Sequence, residues 1–197
     1  MSTAYKPRHS IPLQAGATYE RPPQPADWVQ PNDPALNVFT DFRVVQPRTV
    51  HPAVSIDAAL DQMKRQGVRL LLVVDDRDEI TGIITARDIQ GEKPIQLIQE
   101  RRIEHSELTV RDIMRPQGTI PVLNMISVRE ATVGHILATL HELERQHVLV
   151  VEIDETTGRQ CVRGVFSTSQ IDRQMHRRKG DDIPAAHNLA EIVKNMG

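Results

Sequence analysis

The 197-residue sequence contains one cysteine, six aromatic residues and no long apolar run, and each scarcity excludes something. Cys161 alone can form neither an internal disulfide nor a cysteine-rich zinc site. Its place in an apolar stretch predicts a small buried hydrophobe, and such sparing use of cysteine fits a reducing compartment. Aromatics at 3% leave little for stacking on single-stranded bases, so the core has to come from Val, Ile, Leu, Ala and Met. No apolar stretch approaches the ~20 residues that span a bilayer, and the polar, Pro-containing start has no signal-peptide core. The expected location is therefore the cytoplasm. Charge of one sign is also missing: 24 basic against 26 acidic residues gives −2, which draws the chain toward neither nucleic acid nor an anionic membrane. The basic run His176-Arg177-Arg178-Lys179 more simply complements a helix C-terminus.

Catalytic signatures are absent too. There is no Gly-x-Ser-x-Gly, no Gly-Lys-Ser/Thr phosphate loop and no Gly-x-Gly-x-x-Gly. Eight histidines include no pair at metal-binding spacing; His141 and His147 are six apart. The expectation is a protein that is not an enzyme, holds no metal and requires no cofactor.

What is present reads as an α/β body. Residues 1 to about 37 carry seven of the thirteen prolines and predict an extended arm, with Trp28 docked on a body. From Thr49 the periodicities sharpen. Thr49-Val50 is a short extended segment, and Ser55 caps a helix with Ile56, Ala59, Leu60 and Met63 on one face, stopped by Gly67. Val68–Val74 is an aliphatic run of the length of a strand buried on both faces, followed by a turn at Asp75–Asp78 and a second strand, Ile80–Ile84, that runs into a helix start at Thr85.

The same order returns. Thr132 caps a helix carrying Val133, Ile136, Leu137, Leu140 and Leu143, His147–Val151 repeats the aliphatic strand, and Val162–Ser167 repeats the strand that ends at a hydroxyl. Asp75 to Glu152 is an offset of 77 and Gly82 to Gly164 one of 82, while Phe39–Phe42 and Val110–Met114 look like entry segments at an offset of 71. Such a repeat predicts two pseudo-symmetric β-α-β-β-α units with a ligand where they meet. The expected division is an arm over 1–37, a first repeat over 38–98, a linker over 99–107, a second repeat over 108–178 and a helical tail over 179–197.

One stretch carries chemistry. In Gly82-Ile83-Ile84-Thr85-Ala86-Arg87-Asp88, Gly82 admits a close neighbour, Thr85 and the helix start can hold a phosphate, Arg87 can neutralise it, and Asp88 can accept two bonds from a ribose diol. The plainer reading has Thr85 capping the helix and Asp88 stabilising its first turn.

These repeated Gly-x-x-(Thr/Ser)-x-x-Asp endings after aliphatic strands, with an entry phrase such as Val110-Arg111-Asp112-Ile113-Met114, resemble the paired CBS (cystathionine-β-synthase) domains of the Bateman module. The resemblance covers residues 39 to about 178, about 70% of the chain. It implies a pseudo-symmetric CBS-pair fold, pairing of two modules as a homodimer, and clefts for AMP, ATP or another adenosyl compound. Carried over by position, Thr85 faces a phosphate, Asp88 the ribose, and Thr49 and Val50 the base. The second copy departs from the pattern: Gly164-Val165-Phe166-Ser167-Thr168-Ser169-Gln170 keeps the hydroxyl of Ser167 but has the neutral Gln170 in place of the acid. Charge-assisted bonds are worth about 1.5–3 kcal/mol against ~1 for neutral ones, so a weaker second site is expected. Two functions follow as expectations: a nucleotide sensor acting on an unidentified protein partner, or a dimeric adaptor with vestigial clefts.

Overall fold

A computed structural model describes residues 28–176. Most of the expected arm, the basic run after His176 and the tail over 179–197 lie outside the described residues.

Helix α1 (Ile56–Gln66) begins where the Ser55 hydroxyl accepts the Ala58 N–H at 3.3 Å and ends at Gly67, whose φ of 65° suits a residue without Cβ. Its inner face buries Ile56, Ala59 and Met63. Strand β3 (Leu70–Val74) follows, then β4 (Ile80–Thr85), α2 (Ala86–Gln90) and α3 (Glu92–Arg101). The second half matches it with α6 (Val133–Glu142), β7 (His147–Ile153), β8 (Gln160–Ser167) and α7 (Thr168–His176). Between Asn124 and Thr132 it adds a helix, α5 (Met125–Glu130), to the copy.

Alternation along the strands builds three layers of core. Leu71 and Val73 of β3 face α1, and Val148 and Val150 of β7 face α6. Leu70, Leu72, Ile83 and Leu149 point the other way and pack together between the two sheets, joined by Phe42, Ile120 and Val165. The aliphatic strands are thus buried on both faces, as their composition predicts.

Short strands complete each sheet by exchange. The sheets run β2-β3-β4-β5 and β1-β8-β7-β6, where β1 is Thr40–Asp41, β2 Thr49–Val50, β5 Arg115–Pro116 and β6 Val122–Asn124. Strand β1 opens the first half yet pairs with β8 of the second, and β5 opens the second half yet pairs with β4 of the first. The segments preceding them cross as well. Val29, Ala35 and Val38 sit in the second core, while Leu108, Val110 and Ile113, the last two in helix α4 (Val110–Ile113), sit in the first.

Several sequence expectations change on this account. The last residues of the supposed arm belong to a core: Val29 is 1% exposed, whereas Trp28, expected to dock, is 49% exposed. The entry segments align at an offset of 75, Thr40–Asp41 with Arg115–Pro116, not 71, because strand pairing rather than the similar Asp-containing phrase sets the register. The linker over 99–107 is partly regular, with Glu100 and Arg101 closing α3 and His105–Glu107 forming a 3-10 turn. Cys161 is exposed, because it lies near the tip of the β7–β8 hairpin, opposite Glu152 and beyond the buried part of the strand.

Candidate functional site

The helix start at Thr85 is closed by its own acid. The Thr85 N–H and hydroxyl both donate to Asp88 Oδ2, at 2.9 and 2.6 Å, and the Asp88 N–H donates back to the hydroxyl at 3.2 Å. Asp88 Oδ1 takes Arg115 Nη2 at 3.0 Å, in an ion pair whose side chains are 15% and 25% exposed. A carboxylate oxygen has two lone pairs, so Oδ2 is saturated and Oδ1 has one place left. The arrangement also occurs elsewhere. Thr109 and Asp112 form the same box at the start of α4, with Arg101 Nη1 on Asp112 Oδ1 at 2.5 Å. There the Thr109 hydroxyl, its N–H and Arg101 hold the carboxyl down to about 2 against the cost of desolvation. Thr85 and Asp88 are therefore first a helix-capping device, the plainer of the two readings of that motif.

Gly82 and Gly164 serve the strand exchange. A Cβ on Gly82 would lie 2.4 Å from the Arg115 carbonyl oxygen, and one on Gly164 2.2 Å from that of Thr40 and 2.3 Å from the Phe39 ring. The close neighbour that these glycines admit is protein backbone.

Among the described residues, the repeat relates two cavities to each other. One, about 940 Å³, lies between α2–α3 and α6 and is lined by Arg87, Asp88, Lys93, Arg115, His141 and Arg145 among others. A small extension beneath it reaches Thr85, Arg115 and His147. The other, about 1020 Å³, lies across the molecule against Ser167 and Gln170. Its floor is apolar, from Phe42, Leu70, Leu72 and Val165, and its walls carry the cations Arg48, Arg69 and Arg173. At its helix start Ser167 Oγ accepts the Gln170 N–H at 3.2 Å and lies 3.3 Å from Ser169 Oγ.

The residues singled out in the sequence divide accordingly. Asp88 and Arg87 line the first cavity and Thr85 its extension, while Ser167 and Gln170 line the second. Thr49 and Val50 line neither: Thr49 is exposed, Val50 is in the first core opposite Val73, and two strands separate β2 from β5. Arg48 just before them borders the second cavity instead.

Sequence reasoning missed Arg48, Arg69, Arg115 and His147. For the last, a signal was available: at the offset of 77 His147 stands where the first copy has Leu70, an ionisable group at a buried strand position. Its imidazole is pushed down to about 4 by burial first, then by Arg115 and Arg69, with Asp88 opposing.

Among the described residues no helix is long and apolar enough to cross a membrane. The CBS domain family matches residues 40–92. Inosine-5'-monophosphate dehydrogenase of Pasteurella multocida (strain Pm70) is 30% identical over 116 residues, 59% of this chain, and the chain spans about a fifth of that enzyme's length, 21%. Among solved structures, an uncharacterized conserved protein of Pyrococcus horikoshii superposes with a TM-score of 0.54 at 21% identity, covering 78% of this chain and 100% of that one. A protein with CBS domains from Burkholderia ambifaria MC40-6 gives 0.51 at 22% identity, covering 71% and 89%. CBSX2 of Arabidopsis thaliana, in a crystal structure with AMP, gives 0.50 at 19% identity, covering 72% and 94%. With the exchanged strands and duplicated sheets, these matches place a CBS domain over residues 40–92 and give the chain the fold of a CBS pair.

Proposed function

We propose that this protein is a non-catalytic regulatory module that binds an adenine nucleotide in the larger cavity, beside Ser167 and Gln170. The observation that carries the reading is the lining of that cavity: an apolar floor broad enough for a purine, with three arginines and the hydroxyls of Thr40, Ser167 and Ser169 around it. A volume near 1020 Å³ is at the upper end of the ~300–1,000 Å³ typical of small-molecule sites. CBSX2, which shares the fold, was solved with AMP. The first cavity ranks second in this reading, because Thr85 fills Oδ2 of Asp88 and a diol can take both oxygens only by displacing one of those capping bonds. Losing one hydrogen bond to a charged group costs about 1.5–3 kcal/mol. The sequence favoured the opposite order, on the strength of the acid at Asp88 and the amide at Gln170.

Binding would act by selecting one arrangement of the module over another, and the partner that reads it is a protein surface. The adaptor reading draws on Leu36, Val44 and Val45, which are 43%, 73% and 49% exposed along the rim of the larger cavity. A homodimer would cover such groups, and light scattering that returns a monomer at micromolar concentration would remove it.

Thermal shift with AMP, ADP, ATP and S-adenosylmethionine tests the nucleotide reading. A ligand at a hundred times its Kd stabilises by about 2.7 kcal/mol, or roughly 5–10 °C for a chain of this size. Ser167→Ala and Gln170→Ala should each reduce the shift, and Asp88→Ala should leave it. Loss with Asp88→Ala alone moves the ligand to the first cavity, and no shift with any compound at millimolar concentration leaves the adaptor.

A further inference from the structure

His147 is the first residue of β7, opposite Ser167 of β8, and it lines both the larger cavity and the small extension of the first. On the large-cavity side the charged groups are Arg48, Arg69 and Arg173, with Asp41 and Asp172. Both acids are already engaged, Asp41 with Arg163. On the other side His147 shares the lining of the small extension with Arg115 from β5, Arg87 from α2 and Glu144 and Arg145 from the turn before β7, and Arg115 is paired with Asp88. Arg115 is turned toward Asp88, so of the two arginines that act on the His147 ring it is Arg69 that faces a newcomer in the large cavity.

We infer that the larger cavity takes the anionic part of its ligand at the His147–Arg69 end, and that His147 becomes protonated when the anion arrives. An anion there screens Arg69 and adds an attraction of its own, so the main electrostatic opposition to an imidazolium on that side is removed. A protonated His147 then donates to the anion as a second cation, and a phosphate or sulfate is preferred to an uncharged or sulfonium group. The inference rests on the nucleotide reading for the identity of the ligand, but not for its charge.

The consequence is linkage between ligand and proton. In the empty protein the ring is neutral above about pH 4. If occupancy restores it toward the ordinary value of ~6.5, affinity rises by up to about 20-fold between pH 7 and pH 5, with uptake approaching one proton. An ordinary buried histidine shows no such ligand dependence.

Calorimetry of the full chain, in buffers of different ionisation enthalpy at pH 5.5, counts the protons taken up with AMP, with adenosine and with inorganic sulfate. Sulfate keeps its charge over this range, so its uptake reports the protein alone. The expected result is uptake with AMP and sulfate, none with adenosine, and its loss in His147→Gln while AMP still binds. Should that variant fold poorly, the His147 ring proton followed by NMR in the wild type gives the same answer, its titration midpoint moving upward on addition of sulfate. AMP binding without proton uptake, or uptake that survives His147→Gln, overturns this inference and leaves the nucleotide reading standing. If none of the three probes binds, both fall.

Discussion

The strand exchange can be tested through one methyl group. In Gly164→Ala the added carbon would stand 2.2 Å from the Thr40 carbonyl oxygen and 2.3 Å from the Phe39 ring, against an ordinary contact of 3.4–4 Å. More than an ångström has to be found, and neither neighbour is the free end of a flexible side chain. Phe39 is packed on Phe166 with ring centroids 5.1 Å apart, and Thr40 is in register with Val165. Overpacking of a core costs typically ~1–3 kcal/mol, and losing the β1–β8 pairing adds about 0.5–1.5 kcal/mol per hydrogen bond. The expected loss is therefore about 2–5 kcal/mol, and much of the Asp41–Arg163 pairing should go with it. Gly82→Ala should cost less, because one of its two partners is the Met114 sulfur at 3.1 Å, which can move. Gly118→Ala meets nothing within 4 Å and serves as the control, with an expected effect within ~0.5 kcal/mol. Urea denaturation followed by circular dichroism gives all three values. If Gly164→Ala and Gly118→Ala denature at the same urea concentration, the crossing of β1 into the second sheet is wrong.

Two further outcomes follow from the capping devices. Arg115→Ala leaves Asp88 partly buried without its cation, and should cost about 1–3 kcal/mol, most of it recovered when Asp88→Asn is added; a double-mutant cycle with no coupling would show that the pair is decorative. Asp112 has its carboxyl held near 2, below the ordinary 3.8, so the folded state binds fewer protons than the unfolded one between those values. The stability it contributes is complete above about pH 4 and disappears as pH falls toward 2. Asp112→Asn should flatten the acid limb of a stability–pH curve in that window, and an unchanged slope would remove the argument.

Most of the architecture was legible because it is written in local patterns. The i, i+3, i+4 spacing of Ile56, Ala59, Leu60 and Met63, the caps at Ser55 and Thr132, and the aliphatic runs before Asp75 and Glu152 each specify an element without reference to the rest of the chain. The exchange was not legible, since two-residue strands such as Thr40–Asp41 and Arg115–Pro116 have no period, and their partners lie over a hundred residues off in one case and some thirty in the other. The site suffered from the same blindness. Residue types in Thr85–Asp88 fit a sugar phosphate, but they spend their bonds on each other and on Arg115, twenty-seven residues away. Thr49 and Val50 were placed with Asp88 by the family resemblance, yet neither lines the cavity that Asp88 borders. The larger cavity is assembled from segments near residues 40, 69, 147 and 170, a combination that no single motif announces.

Crossed entry segments also bear on how such a chain can be divided. Cut between its two copies, each piece would be left with an incomplete sheet, and would carry away the small strand its sibling needs. A lone half could complete its sheet only by trading strands with a second copy of itself, an embrace that the single polypeptide makes with its own two halves.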